Sequence, residues 1–153
     1  RITGWASYAW GKAGVRDGEA GTEFPADYDQ RHTVNVYLSC RVRPSVNLSV
    51  KWLYGSGFPI PGFLRRERDG YVLTESRNAV RLDPYQRADV RINKAFAFDR
   101  WKLTLYGELV NLLNRRNRRF DSFNGYNPST GQAYISLDRM FPILPSAGVA
   151  LEF

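Results

Sequence analysis

The residues with the widest chemical reach are few. His32 is the only histidine and Cys40 the only cysteine, so no second imidazole or thiol stands at metal-ligand spacing and no disulfide can close within the chain. Ser56 sits in Gly55-Ser56-Gly57, but without the strand-to-helix turn that exposes a nucleophile. A hydrolase built on one sheet face would need serine and histidine together, and His32 falls in an apolar column. Cys40 lies in the same column and reads as a small hydrophobe. The expectation is a protein that is no enzyme and holds no metal or cofactor.

Cations are the second resource. Residues 114–119 read NRRNRR, with Arg115, Arg116, Arg118 and Arg119, and an earlier long connection carries Arg65, Arg66, Arg68 and Arg77. Guanidinium groups suit phosphate and carboxylate, and the formal net charge is +7. Charge alone is weak support for nucleic acid. A solvated basic loop facing lipopolysaccharide phosphates or an anionic ligand is the expected use, with no nucleic-acid partner.

The third resource is a set of polar residues at alternate positions: Arg31, Asn35, Tyr37 and Arg41; Lys51; Arg87, Asp89 and Arg91; Tyr106 and Glu108. A tight turn at Asp99-Arg100 would set Arg91 opposite Glu108 and Asn93 opposite Tyr106, which predicts an Arg91–Glu108 contact.

Strands must carry these residues, because the periodicity is two throughout. Segments 2–10, 31–42, 46–55, 86–98, 101–112 and 143–153 each alternate an apolar and a polar column. In the second, Val34, Val36, Leu38, Cys40 and Val42 make an unbroken apolar run. In the last, Ala147, Val149, Leu151 and Phe153 do. The connections alternate long and short: loops over residues 11–30, 56–85 and 114–142, and turns at Arg43-Pro44-Ser45 and Asp99-Arg100. No run of 18 apolar residues exists to make a transmembrane helix. Barrel strands average to a soluble-looking hydropathy because lipid-facing and lumen-facing residues alternate.

Short turns on the periplasmic side and long loops outside are the habit of outer-membrane barrels. That direction sends Trp10, Trp52 and Tyr54 to the outer rim. It sends Phe96, Phe98, Trp101 and Phe153 to the periplasmic rim, so two aromatic girdles are expected. Lys94 would break the apolar column near the inner interface, where a charge costs roughly 0–1 kcal/mol and can snorkel. The expected fold is all-β: an antiparallel meander of about six transmembrane strands, part of a larger barrel. Six strands do not close a barrel, so the first and last should pair with strands outside residues 1–153. The chain opens on Arg1 directly into a strand and is expected to be the C-terminal piece of a longer protein.

Several stretches resemble the late strands of TonB-dependent outer-membrane receptors: GWASYAW (4–10) with FPADYDQRHTVNV (24–36), RLDPYQRADVRINKAF (81–96), LTLYGELVNLLNRRN (103–117), and the ending ILPSAGVALEF (143–153). The resemblance covers nearly the whole chain. It implies a partial barrel over residues 1–153, the end of one of about 22 strands, with the plug domain absent. It implies uptake of a scarce nutrient such as a siderophore, cobalamin or an oligosaccharide. It further implies Val149, Leu151 and Phe153 as the signal for the barrel-assembly machinery, and TonB as a partner only through a missing N-terminal region. The upstream strands and plug, outer-membrane lipid and lipopolysaccharide are the remaining implied partners, and the bacterial outer membrane the implied location. Two alternatives compete. One is a soluble ligand-binding β-sandwich or small β-barrel, which would pack its apolar columns into a core. The other is a different outer-membrane barrel: adhesin, porin or hydrolase.

Overall fold

A computed structural model describes residues 1–18 and 21–153; residues 19 and 20, in the loop expected over 11–30, lie outside the described residues. The described chain is all-β. Numbered in chain order, six long strands form one antiparallel sheet: β1 (Ile2–Trp10), β4 (His32–Arg43), β5 (Val46–Gly55), β8 (Tyr85–Ala97), β9 (Lys102–Val110) and β12 (Leu144–Glu152). They are neighbours in that order, and β1 and β12 are its two edges. Strand bounds lie within two residues of those expected from alternation, because each strand keeps both of its columns along its length.

The short turns are where the sequence places them. Phe98 N–H donates to the Trp101 carbonyl at 2.9 Å, closing a turn over Asp99-Arg100. Arg91 then pairs with Glu108 and Asn93 with Tyr106, as the turn length predicts. Pro44 and Ser45 make the other turn, between Arg43 and Val46. Here one expectation fails. A bulge between Arg41 and Arg43 leaves Val42 out of the ladder and sets Arg43 opposite Val46. The apolar column of β4 is therefore interrupted at Val42, because a bulge puts two residues against one.

The long connections are not plain loops. Strands β2 (Gly14–Arg16) and β3 (Glu23–Pro25) form a small hairpin. The connection over 56–85 holds β6 (Leu64–Glu67) and β7 (Gly70–Leu73), and that over 114–142 holds β10 (Arg118–Tyr126) and β11 (Gln132–Arg139). These four join into a second sheet, ordered β10-β11-β7-β6, through pairs such as Ala133 with Tyr71. Arg65, Arg66, Arg118 and Arg119 therefore stand on strands, a correction to the expected basic loops. Their polar composition hides the strands, since only tertiary pairing makes them regular.

Apolar burial follows the second sheet. Ile60, Leu64 and Ala133 are buried, with Tyr71, Val80, Leu82, Phe120 and Ile135 packed around them. No buried apolar side chain among the described residues belongs to the six long strands.

Where β8 outruns β9, side chains finish its edge. The ladder between them starts at Val90 and Leu109. Beyond it, the Asn117 amide accepts from Gln86 N–H at 3.0 Å and donates to the Gln86 carbonyl at 2.7 Å, as a strand would. Leu112 N–H donates to the Ala88 carbonyl at 2.7 Å. Such pairing matters because an unmet backbone group away from water is costly.

Candidate functional site: an apolar face and a polar face

The long sheet presents two unlike faces, read directly from its register. One row crosses it as Ile2, Cys40, Leu48, Ile92, Gly107 and Ala147. The next crosses as Gly4, Leu38, Val50, Val90, Leu109 and Pro145. On this apolar face Leu38 and Ile92 are each 50% exposed and Val149 63%. On the opposite face Ser49 and Asp89 are 8% and 6% exposed. That inverts the order of a water-soluble sheet, whose apolar side is the covered one.

Aromatics mark both ends of the apolar face. Toward the long connections, Trp10 pairs with His32, Tyr8 with Val34, Val34 with Tyr54, and Val36 with Trp52. The Tyr8 hydroxyl lies 2.9 Å from His32 Nδ1, and the Trp52 and Tyr54 rings stack at 6.2 Å. Tyr8, two residues before Trp10 in the same alternating column, joins this group. Toward the short turns, the Phe98 and Trp101 rings stack at 3.9 Å. Phe96 lies under Lys94 Nζ at 5.3 Å from its centroid, and Phe153 follows β12, 99% exposed. Lys94 Nζ also donates to Ser45 Oγ at 2.8 Å, so its charge reaches the turn, as a snorkelling lysine does. Val149 faces Leu105 and Leu151 faces Leu103.

The polar face gathers most of the expected polar residues. Tyr37, Lys51, Arg87, Asp89, Arg91 and Glu108 line one concave stretch. Arg41 lines the neighbouring stretch, near the short turns, with Ser39, Asn47 and Asn93. Asn35 sits between Ser7 and Leu53. Arg91 Nη1 stands 3.5 Å from Glu108 Oε2, donates through Nε to Asn93 at 3.0 Å, and covers the Tyr106 ring at 3.9 Å. Arg87 pairs with Asp89 at 2.9 Å. Asp89 also accepts from Asn111 N–H at 2.9 Å, tying the polar face to the turn above β9. The Tyr106 ring lies on Gly148, where an added Cβ would collide with it. Gly148→Ala is expected to lift Tyr106 off Arg91 and cost about 1–2 kcal/mol; urea unfolding compared with wild type measures it, and an unchanged midpoint would refute the contact.

Arg31 departs from expectation. It precedes β4 and pairs at 3.3 Å with Asp29, not with the polar face. Asp29 is 1% exposed and forms a hub that sequence reading missed. Its carboxylate accepts from Ala13 N–H at 2.8 Å and ion-pairs with Arg81. Arg81 also donates to the Asp29 carbonyl at 2.6 Å and the Gly57 carbonyl at 3.1 Å. The Ala13 N–H foremost, then Arg81 and Arg31, hold the Asp29 carboxyl below its usual range against the opposing effect of burial. Nearby, buried Asn78 receives Gly62 N–H and donates to the Pro25 carbonyl and Asp27. Asn78, Asn111 and Asn114 all adopt positive φ. The pair Asn111 and Asn114 in NLLN is the one signal that could have located the turn above β9, because asparagine tolerates that conformation.

The basic residues do not converge. Arg65 pairs with Glu67, Arg66 with Asp83, and Arg119 with Asp138. Arg68, Arg115, Arg116 and Arg118 form no ion pair among the described residues. The order β10-β11-β7-β6 puts the two expected clusters at opposite edges of the second sheet. No group of three or more potential metal-binding side chains occurs among the described residues.

Comparison with known proteins finds no matching family model, no similar curated protein and no similar solved structure.

Proposed function

We propose that the long sheet is part of the wall of an outer-membrane β-barrel, with its apolar face toward lipid and its polar face toward the lumen. The observation that carries this reading is the inverted burial: each of the six strands exposes an apolar side chain (Ile2, Leu38, Val50, Ile92, Leu105 and Val149), while Ser49 and Asp89 opposite are covered. Water penalises an exposed apolar sheet of this extent, and lipid does not. Aromatics at both ends and strands of 9 to 13 residues agree with a bilayer crossing. The free edges of β1 and β12 then call for further strands, because an open edge is not tolerated in hydrocarbon. Among such barrels, the likeness of residues 81–96, 103–117 and 143–153 to TonB-dependent receptors favours nutrient uptake, with about 22 strands and a plug in the whole protein. Val149, Leu151 and Phe153 would serve assembly, and the second sheet, β10-β11-β7-β6, would be the outer sheet that faces the medium.

Brominated lipids test the orientation. In bilayers, quenching is expected to reach Trp10, Trp52 and Trp101 and to spare Trp5, which stacks on Tyr37 on the polar face at 6.4 Å; single Trp→Phe variants separate the signals. A chain that folds as a monomer in buffer without detergent overturns the membrane reading. Uptake that persists in cells lacking the inner-membrane energy-coupling complex overturns the receptor part alone.

A further inference from the structure

The outer sheet has a face that its own core leaves unfinished. Strand β11 is regular, so Ala133, Ile135, Leu137 and Arg139 share one side. Opposite them on β10 stand Tyr126, Phe123, Phe120 and Arg118. These spacings are not a strand period. Two irregularities, between Phe120 and Ser122 and between Phe123 and Tyr126, return all four to one face. Gly125, at φ +102°, permits the second.

Ala133, Ile135 and Phe120 belong to the core around Ile60 and Leu64. Phe123 and Tyr126 continue that face on an edge strand, 49% and 50% exposed. At the base of the same face, Arg118 stands directly opposite Arg139. Like charges in that position destabilise a ladder. Neither forms an ion pair among the described residues, and Asp138 is engaged by Arg119 on the other side. Arg115 and Arg116 precede the pair in the chain. An exposed aromatic ring, Phe123, and two uncompensated guanidinium groups on one accessible face complement a single kind of ligand.

We propose that this face binds a small anion with a planar apolar body, an aryl carboxylate or aryl phosphate. Arg118 and Arg139 take the anionic oxygens through charge-assisted hydrogen bonds, and Phe123, in the row of Ile135 about 13 Å along the strand from Arg139, stacks on the ring. Access from outside the cell rests on the membrane reading above; the binding chemistry does not. The proposal narrows the nutrient class to acids with an aromatic body.

Calorimetric titration of the detergent-solubilised protein with 2-naphthoate tests it, with inorganic phosphate and 2-naphthalenemethanol as part-probes. Saturable binding about tenfold or more tighter than either part-probe is expected. Arg118→Gln, Arg139→Gln and Phe123→Ala should each weaken it by about tenfold, while Tyr134→Ala, on the other side of β11, should not. Circular dichroism confirms that each variant retains its strands. Equal binding of inorganic phosphate, or lipid A binding at Arg118 that ignores Phe123→Ala, would reveal a plain anion or headgroup site and overturn the proposal. Naphthoate binding indifferent to both arginine variants would do the same. Binding with the expected pattern in a protein that does not enter bilayers would sink the membrane reading and leave this one standing.

Discussion

Asp29→Ala is expected to loosen the connections above the long sheet by about 3 kcal/mol, the low end of what breaking a buried ion pair costs. The low end applies because Arg81 and Arg31 are 26% and 41% exposed and can rehydrate once Asp29 is gone. The Ala13 N–H loses its acceptor in the same change, and an unmet buried donor carries its own penalty. Asp29→Asn keeps an oxygen for Ala13 and should lose less. The hub joins residue 13, the start of β4 and residue 81, so the damage should be regional. Hydrogen exchange should rise around residues 11–31 and 56–85 while the ladders of β5, β8 and β9 stay protected. Uniform protection everywhere in Asp29→Ala would show that the hub bears no load.

Acid should mimic that substitution. The Asp29 carboxyl is held below its ordinary value of 3.8. A carboxyl whose folded pKa is depressed adds stability above its unfolded pKa and loses it as pH falls through the folded value. The upper connections should therefore begin to open below about pH 4, and Asp29→Asn should show less of this change. A wild-type exchange pattern that is flat down to pH 2 would contradict the assignment.

Alternation made the long sheet legible because each of its strands meets two different environments along its length. A column of Val34, Val36, Leu38 and Cys40 beside Thr33, Asn35, Tyr37 and Ser39 excludes any slip by one residue, and the short turns select the register among those that remain. The Arg91–Glu108 contact followed from that register plus a two-residue turn. The second sheet was opaque for the converse reason. Arg118, Phe120, Phe123 and Tyr126 share a face only because bulges absorb the odd residues, and β7 meets β11 across some sixty residues of chain, Tyr71 to Ala133. Asp29 was invisible because its partners, Ala13, Arg31 and Arg81, come from three separate segments. Val42 was misplaced because a bulge before Pro44 leaves no mark on a column of valines. Local pattern reports the environment of a strand, and it does not report what distant connections do above it.

The largest effect on the proposed role is expected from a charge placed mid-strand on the apolar face. Val50 lies at the middle of the apolar column of β5, between Leu38 and Val90 in register, with Val46 and Leu48 toward the short turn and Trp52 and Tyr54 toward the other end. Val50→Arg should cost about 2–4 kcal/mol in a bilayer, the midplane cost of a cation on the lipid face of a barrel. Lys94 shows why position matters: it reaches Ser45 at the turn, whereas a cation at residue 50 has no turn within reach. The matched control is Leu53→Glu, three residues along the same strand and on the polar face. Leu53 faces Arg87, so the new carboxylate gains an opposite charge across the ladder, a gain of about 0.2–1 kcal/mol. Urea titration of folding into lipid vesicles reads both. A bilayer-spanning sheet requires opposite signs for the two variants. If water bathes both faces, Val50, already 37% exposed, should accept arginine at almost no cost, and near-equal midpoints would then sink the membrane reading.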